Sequence, residues 1–446
     1  MLLMPTDRIP TKIDLISTSL GRFQHGFDTN IANTHTIWSL DIARIPTKTT
    51  RRAPTMTTQP RMAGSASPHV ALIVETSHGS GREILEGIAQ YVREHGPWSI
   101  YHEPRSLEDE PPTWLRRWQG DGIIARLQNH RIAEAVRATG LPVVDVLGVV
   151  PDIKVPFVRV DNVAVGRMAA EYYLDRGFKN FAFVGVHGVN WSQSRHDAFC
   201  SRLAQTNHCC AVRDIPLHTR SDSSWEAEQD RLAEWLGHLA RPVAIMVCND
   251  PVGQRVLEAC CRASLLVPDE AAVIGVDNDR TLCAMCDPPL SSVIIDHRRV
   301  GYDAATILDA MICRHDTPSS APILPLGVAS RQSTDVLAID DPEVALALRF
   351  IREHAGDPIT VENVLAGTLL SRSVLQRRFR ALLGRTIHEE ITRVRIKRAS
   401  ELLTETDLPI AVIAVKVGFG HQEYLGAVFK AAMGETPHQH RKRFRT

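Results

Sequence analysis

The 446-residue chain carries 51 Lys plus Arg against 51 Asp plus Glu, with 44% hydrophobic residues and nine cysteines. Its length allows two or more domains at roughly 100–200 residues each, and nothing in it approaches the ~18–20 apolar residues of a membrane span. So few cysteines in so long a chain exclude a disulfide scaffold and fit a reducing cytoplasm.

The charges are unevenly spread. Residues 1–68 hold 8 basic and 4 acidic side chains, residues 69–339 hold 26 and 34, and residues 340–446 hold 17 and 13. An acidic body followed by a basic module predicts that the C-terminal end meets a polyanion.

Residues 1–68 contain no Glu and twelve Thr, and show little periodic hydrophobicity. Thr, Arg, Pro, Gly and Ser dominate residues 47–68, which reads as a disordered extension. The segment lacks the charged start, apolar stretch and cleavage site of a secretory signal. Met56 and Met62, just before ordered sequence begins, are alternative starts.

From Val70 onward, short apolar runs alternate with helical patterns. Strands are predicted at 70–74, 122–125, 143–146, 157–160, 181–185, 244–248, 272–276 and 292–295. Helices are predicted at 82–94, 163–176, 227–239, 251–263 and 298–313. Continuous apolar strands between amphipathic helices imply parallel sheets covered on both faces. About 260 residues is large for one sheet, so two similar lobes are expected.

Ligands of such sheets gather beyond the carboxyl ends of the strands. There the chain places Glu75, Ser77 and Arg82 after the first strand, and Asp161 after the fourth. Trp191 and Arg195 follow the fifth, Asn249 and Asp250 the sixth, and Asp277 the seventh. Carboxylates, amides and guanidinium groups fix hydroxyls, and an indole offers a flat apolar face to a sugar ring. Any single Asp or Asn here can equally be a helix N-cap. The repetition of the same chemistry at several strand ends favours a polar ligand.

Catalysis finds no support. Gly79-Ser80-Gly81 opens a helix but completes neither a dinucleotide nor a nucleoside triphosphate motif. Cys283 and Cys286 have zinc or redox spacing without a second pair to complete a site, and are expected as loop thiols. His438 and His440 lie in the basic tail and are expected to face solvent. No metal or cofactor is expected, and the chain is read as a non-enzyme.

The C-terminal residues are dense with helical pattern. Asp341 and Pro342 open a helix over 342–354. Residues 360–366 and 371–383 then form a helix-turn-helix pattern, residues 387–403 a long helix, and residues 409–417 and 422–432 a second pair. In the first pair Val374, Leu375 and Phe379 can face inward, leaving Arg372, Ser373, Gln376, Arg377 and Arg380 outside. Arg reads guanine and Gln reads adenine through paired hydrogen bonds, while the remaining Arg can meet phosphates.

Two resemblances follow. The strand endings, the run opening Asp161-Asn162-Val163 and the run Val273 to Asn278 resemble the lactose-repressor and periplasmic sugar-binding superfamily. The segment from Val328 to Thr334 resembles the xylose operon regulatory family. Phe419, Tyr424, Phe429, Lys430, Gly434, Thr436 and Pro437 resemble the AraC-family signature. The helix-turn-helix that precedes the sensor in lactose-type repressors has no counterpart in residues 1–68.

Together these imply a disordered extension (1–68), a two-lobed α/β periplasmic-binding-protein-like sensor (69–335) and an all-α AraC-type domain with two helix-turn-helix motifs (340–446). They imply a sugar between the lobes, most simply a pentose, and duplex DNA read in successive major grooves. By this analogy Gln422, Glu423, Gly426 and Ala427 are the groove side of the second reader, whose small residues leave specificity to the first. A homodimer, and RNA polymerase as partner of an activator, are implied in the same way. Two departures leave the identity of the sugar open: Glu75 and Ser77 stand where the family has Asn, and Ile295 stands where it often has Gln. The competing expectations are a sugar-transport protein and a regulator of another small molecule.

Overall fold

The computed structural model describes residues 67–446 apart from 107–108, 151, 217–221, 316–318, 337–338, 340 and 445–446. The expected N-terminal extension, with Met56 and Met62, lies outside the described residues except for its last two positions.

The first lobe is built from β1 (His69–Ile73), α1 (Gly79–His95), β2 (Ser99–His102), β3 (Gly122–Ala125), α2 (His130–Arg137) and β4 (Val143–Asp145). Its sheet is all parallel, in the order β2-β1-β3-β4. Every residue of β3 and β4 is buried, as expected of parallel strands covered on both faces.

The second lobe runs through α3 (Asn162–Leu174), β5 (Asn180–Val186), α4 (Asn190–Ala204), β6 (Cys210–Ile215), α5 (Asp222–Gly237), β7 (Val243–Val247), α6 (Asp250–Arg262), β8 (Ala271–Val276), α7 (Arg280–Met285) and β9 (Ser291–Ile294). The chain then returns α8 (His297–Ile312) to the first lobe, where Val300, Ala304 and Leu308 join its core. It crosses back once more with β10 (Gly327–Ala329). The second sheet has the order β10-β9-β8-β7-β5-β6.

Three crossing segments therefore join the lobes. Asp161 N–H donates to the Ile323 carbonyl at 2.8 Å, Ile323 N–H to Arg159 at 2.8 Å, and Leu326 N–H to Ile294 at 2.9 Å. The expected strand at 157–160 is instead part of this hinge. It makes only isolated bridges, Asp145 to Phe157 and Val160 to Ile323, because it leaves one sheet before reaching the other. The all-parallel expectation also needs correcting, since β10 pairs antiparallel with β9.

Helices α1 and α8 pack backbone to backbone. A Cβ on Gly87 would strike the Arg298 carbonyl, and one on Gly301 the Ile84 carbonyl.

The C-terminal part holds α9 (Pro342–Glu353), α10 (Val361–Ala366), α11 (Arg372–Leu383), α12 (Ile387–Glu405), α13 (Ile410–Lys416), α14 (Gln422–Met433) and α15 (Pro437–Phe444). It has two small cores. Val344, Leu348, Val364, Leu375, Phe379, Ile391 and Val394 form one, and Ile396, Leu403, Ile413, Phe419, Leu425 and Phe429 form the other. Val374, expected inward, is only half-buried.

His440, expected in solvent, is 4% exposed. It packs edge-on to Phe429 and lies 2.8 Å from both Glu435 and Ser400, so α15 is anchored by its polar side chains. Cys283 and Cys286 are likewise buried, in and just after α7, and burial pushes the Cys286 thiol up to about 11.

Gly301→Ala should destabilise the protein by about 1–3 kcal/mol, since helix backbones in contact cannot part locally. Denaturant unfolding checks this, and an unchanged midpoint would mean that α1 and α8 separate freely.

Candidate ligand cleft and nucleic-acid interface

A cavity of about 540 Å³ lies between the lobes, and its lining includes Trp191, Arg195, Asn249, Asp250 and Asp277. Arg195, 5% exposed, projects from α4 and is held from three sides. Its Nε donates to Asn162 Oδ1 at 2.9 Å, one terminal nitrogen donates to the Cys248 carbonyl, and the other lies 3.6 Å from Asp277. The guanidinium also sits 5.1 Å from the centre of the Trp191 ring. A guanidinium fixed in this way presents a preformed polar wall beside an aromatic face.

Asp277 ends β8 with φ 100°, and Asn278 follows at φ 54°. Both values fall in the left-handed region that non-glycine residues avoid, so strain is concentrated at the cleft. Burial opposes the charge of Asp277, but Arg195 and His297 outweigh it and hold the carboxyl well below the usual range. Asp250 goes the other way. Burial and the charge of Asp277 push it up to about 8. Its oxygens accept from Ser292 Oγ at 2.6 Å and Asp279 N–H at 2.7 Å.

Four expected ligand residues stand off the cavity wall. Glu75 is 2% exposed and turns its carboxylate to Arg126. Ser77 is exposed, and its carbonyl accepts from Arg82. Arg82 bonds the Thr76 carbonyl at 2.7 Å and reaches Asp279 at 3.4 Å. Asp161 caps α3 by accepting from Ala164 N–H at 2.9 Å. Asn249 caps α6, accepting from Val252 N–H at 3.1 Å, yet also lines the cavity.

The wall contains groups that the sequence reading did not select. Arg126 follows β3 directly, so the strand-end rule would have found it had it been applied to that strand. Its Nε and Glu75 Oε2 are shut off from solvent and have no hydrogen-bond partner among the described residues. His297, at the start of α8, lies 3.2 Å from Asp277, because β9 and β8 are parallel neighbours and the two residues stand just past their carboxyl ends. Asp279 accepts from Gly79 N–H at 2.9 Å, spanning the lobes at the N-terminus of α1.

In the C-terminal part, α11 exposes Arg372, Ser373, Arg377 and Arg380, while Gln376 is half-buried. Arg372 is drawn to Glu362 at 2.7 Å, and Arg378 turns back to Asp341 at 2.8 Å. On α14, Gln422 and Glu423 are exposed beside Tyr424, which is 55% exposed.

Comparison with known proteins matches these parts in order. A XylR N-terminal domain matches residues 69–165, a periplasmic binding protein-like domain 170–334, and a helix-turn-helix domain 366–443. The xylose operon regulatory protein of Haemophilus influenzae (strain ATCC 51907 / DSM 11121 / KW20 / Rd) is 32% identical over 83% of this chain and 97% of its own. The chain belongs to the xylose operon regulatory protein family. The Escherichia coli (strain K12) member is 30% identical over 83% of this chain and 96% of its own. A solved structure of the xylose-binding transcription activator XylR covers 85% of this chain and 99% of its own, at 29% identity and a TM-score of 0.69. A LacI regulator from a Rhodococcus species shares the fold of the sensor, with 17% identity, a TM-score of 0.52 and 60% of this chain covered. Members of the xylose operon family are DNA-binding transcription regulators rather than enzymes, and this chain is one of them.

The Asp250 carboxyl predicts a pH dependence. Its folded pKa, about 8, lies above the ordinary carboxylate value, so the folded state holds the proton more tightly. That contribution is complete below about pH 4 and is lost as pH rises through about 8. Asp277, shifted the opposite way, stays ionised above pH 5 and adds no slope there. Between pH 5 and 8 the melting temperature of Asp250→Asn should therefore rise steadily relative to the unmutated protein. A constant difference across that range would show that Asp250 carries no proton in the fold.

Proposed function

We propose that this chain is a cytoplasmic, homodimeric transcription activator whose effector is an aldopentose, D-xylose or a close stereoisomer. Its working division is a sensor over 69–335 and a DNA-binding domain over 340–446. The observation that carries this reading is the cleft wall, where Arg195, Asp277 and Trp191 offer charge-assisted hydrogen bonds beside an aromatic face. Arg126 stands on the opposite lobe. A ring bearing several hydroxyls can use both walls at once, and its grip then favours closure by its differential affinity for the closed form. Relatives described as xylose operon regulators, and a solved relative described as xylose-binding, support the choice of sugar. Of the strand-end residues, Trp191, Arg195, Asn249, Asp250 and Asp277 are proposed as ligand contacts. Glu75, Ser77, Arg82 and Asp161 are proposed to shape the wall.

On DNA, Ser373, Gln376 and Arg377 are proposed to read bases, with Arg372 and Arg380 on phosphates. Gln422 and Glu423 are proposed to serve the second reader. Contact with RNA polymerase is proposed as the route to activation.

A thermal-shift screen of pentoses and hexoses tests the effector, because ligand-linked stabilisation identifies what binds. D-xylose should raise the melting temperature, and a panel without any response would remove the sugar reading. Asp277→Asn should weaken sugar binding by about 10–150-fold, the equivalent of roughly 1.5–3 kcal/mol for a hydrogen bond to a charged group. An unchanged titration midpoint would make Asp277 purely structural.

Arg377→Ala should cost about 1–3 kcal/mol at one base of each half-site, whereas Arg380→Ala should weaken all sequences alike and lower the salt slope by about one. Binding to a library of mutated duplexes separates the two. Uniform loss for Arg377→Ala would make it a phosphate contact.

A further inference from the structure

Strand β8 joins two charged sites. Just past its C-terminal end, Asp277 and Asp279 line the cleft, with Asn278 between them. Just before its N-terminal end, Asp269 pairs with Arg352 of α9. Six residues at about 3.3 Å each make a strand roughly 20 Å long, too short and too fully buried to flex independently at its two ends.

A second connection runs alongside. Arg331 donates to Asn278 Oδ1 at 2.9 Å, and Ser333 Oγ donates to the Val273 carbonyl at 2.7 Å, in the middle of β8. Asp335 follows two residues later. It lies 3.1 Å from Lys397 Nζ and 3.8 Å from Arg393, both on α12. Arg393 makes a paired bond to Glu390 at 2.7 and 2.9 Å, and Glu390 also takes Arg385, in the turn after α11. Although burial opposes the charge of Asp335, Lys397 and Arg393 hold its carboxyl below the usual range. The cationic partners of Asp269, Asp335 and Glu390 all belong to α9, α12 or the turn after α11.

We propose that Asp269 and Asp335 are the sensor's grip on the DNA-binding domain, and that β8 carries the state of the cleft to that grip. The effector signal then enters through α9 and α12 and reaches the first reader before the second. This rests on the sugar-responsive reading above and adds its route. Removing the carboxylate at 335 leaves the cleft intact but disconnects it from α11. A change confined to Lys397 on the opposite side does the same without touching the sensor.

The test uses the full chain, D-xylose, and a duplex selected by the unmutated protein from a random-sequence pool. Duplex affinity with and without sugar is measured for the unmutated protein, Asp335→Asn and Lys397→Met, alongside amide exchange of residues 277–286. Both variants should keep sugar-induced protection at 277–286, while the sugar-dependent change in duplex affinity falls to within twofold of none. Variants that retain the full change overturn the proposal. Absence of xylose protection at 277–286 in the unmutated protein is a failure of the sugar reading alone, and the sugar-free arm then decides the grip. Without sugar, Asp335→Asn and Lys397→Met should each speed amide exchange over residues 387–398 by about tenfold or more and leave 422–433 unchanged. Equal exchange in variant and unmutated protein, or acceleration spread evenly over both segments, overturns the proposal.

Discussion

Three carboxylates, Asp250, Asp277 and Asp279, meet at the ends of β7 and β8, and the arrangement of both lobes depends on how they are satisfied. Like charges gathered this closely and largely buried cannot all ionise without a large cost. They divide the roles instead. Asp277 stays charged between Arg195 and His297, while Asp250 is pushed toward its protonated form behind it, bonded by Ser292 and the Asp279 amide. Asp279 turns outward and accepts the first amide of α1. Asp279 alone of the three thus draws a partner from the opposite lobe among the bonds described here. A ligand that takes over the Gly79 amide or the Asp279 carboxylate alters the balance between open and closed forms, because it exchanges an interlobe bond for one of its own.

The same crowding explains why so much of the site could be read from sequence and why some of it could not. Central strands announce themselves as unbroken apolar runs, so the ends of β5, β7 and β8, and with them Trp191, Arg195, Asn249 and Asp277, were legible by position. The edge strands β2 and β6 are half-solvated and need no such run. β2 reads SIYH and β6 reads CAVRDI, and neither was foreseen. Within a strand end, a shift of one residue decides which side chain faces the cavity: Asp161 caps α3, and Asn162 lines the wall beside Arg195. Glu75 and Arg82 are a harder case. Their type and position suit a ligand, but Arg126 claims one and the neighbouring carbonyls claim the other. His297 follows the strand at 292–295 by two residues, so the strand-end rule applied to that strand would have reached it.

Buried histidine and cysteine show a related limit. His440 stands in a basic tail where its neighbours suggest solvent, and only the packing of α15 against α12 and α14 supplies Phe429, Ser400 and Glu435 around it. Composition describes the segment; it does not reveal which face of a short helix is anchored.

The geometry of α12 gives the DNA-binding half its asymmetry. Its first half buries Ile387, Ile391 and Val394, spaced by four and three; its second half buries Ile396, Ala399 and Leu403, spaced by three and four. Between Val394 and Ile396 the apolar stripe advances by two residues, about 200° at 3.6 residues per turn. The helix therefore offers nearly opposite faces to the two cores and keeps them from merging. Of the ion pairs between sensor and DNA-binding domain described above, Arg352 lies on α9 in the first core's half, and Arg393 and Lys397 flank the changeover in α12. The arginine-rich helix α11 packs in the first core, whereas α14 carries Gly426 and Ala427 at the positions proposed for its groove side. A sensor attached to the half with the richer hydrogen-bonding surface would act on the contacts proposed to discriminate sequence. Attached to the other half, it would modulate mainly shape and backbone contact. Charge placement around α9 and α12 thus sets the sensor beside the half whose helix is proposed to read bases.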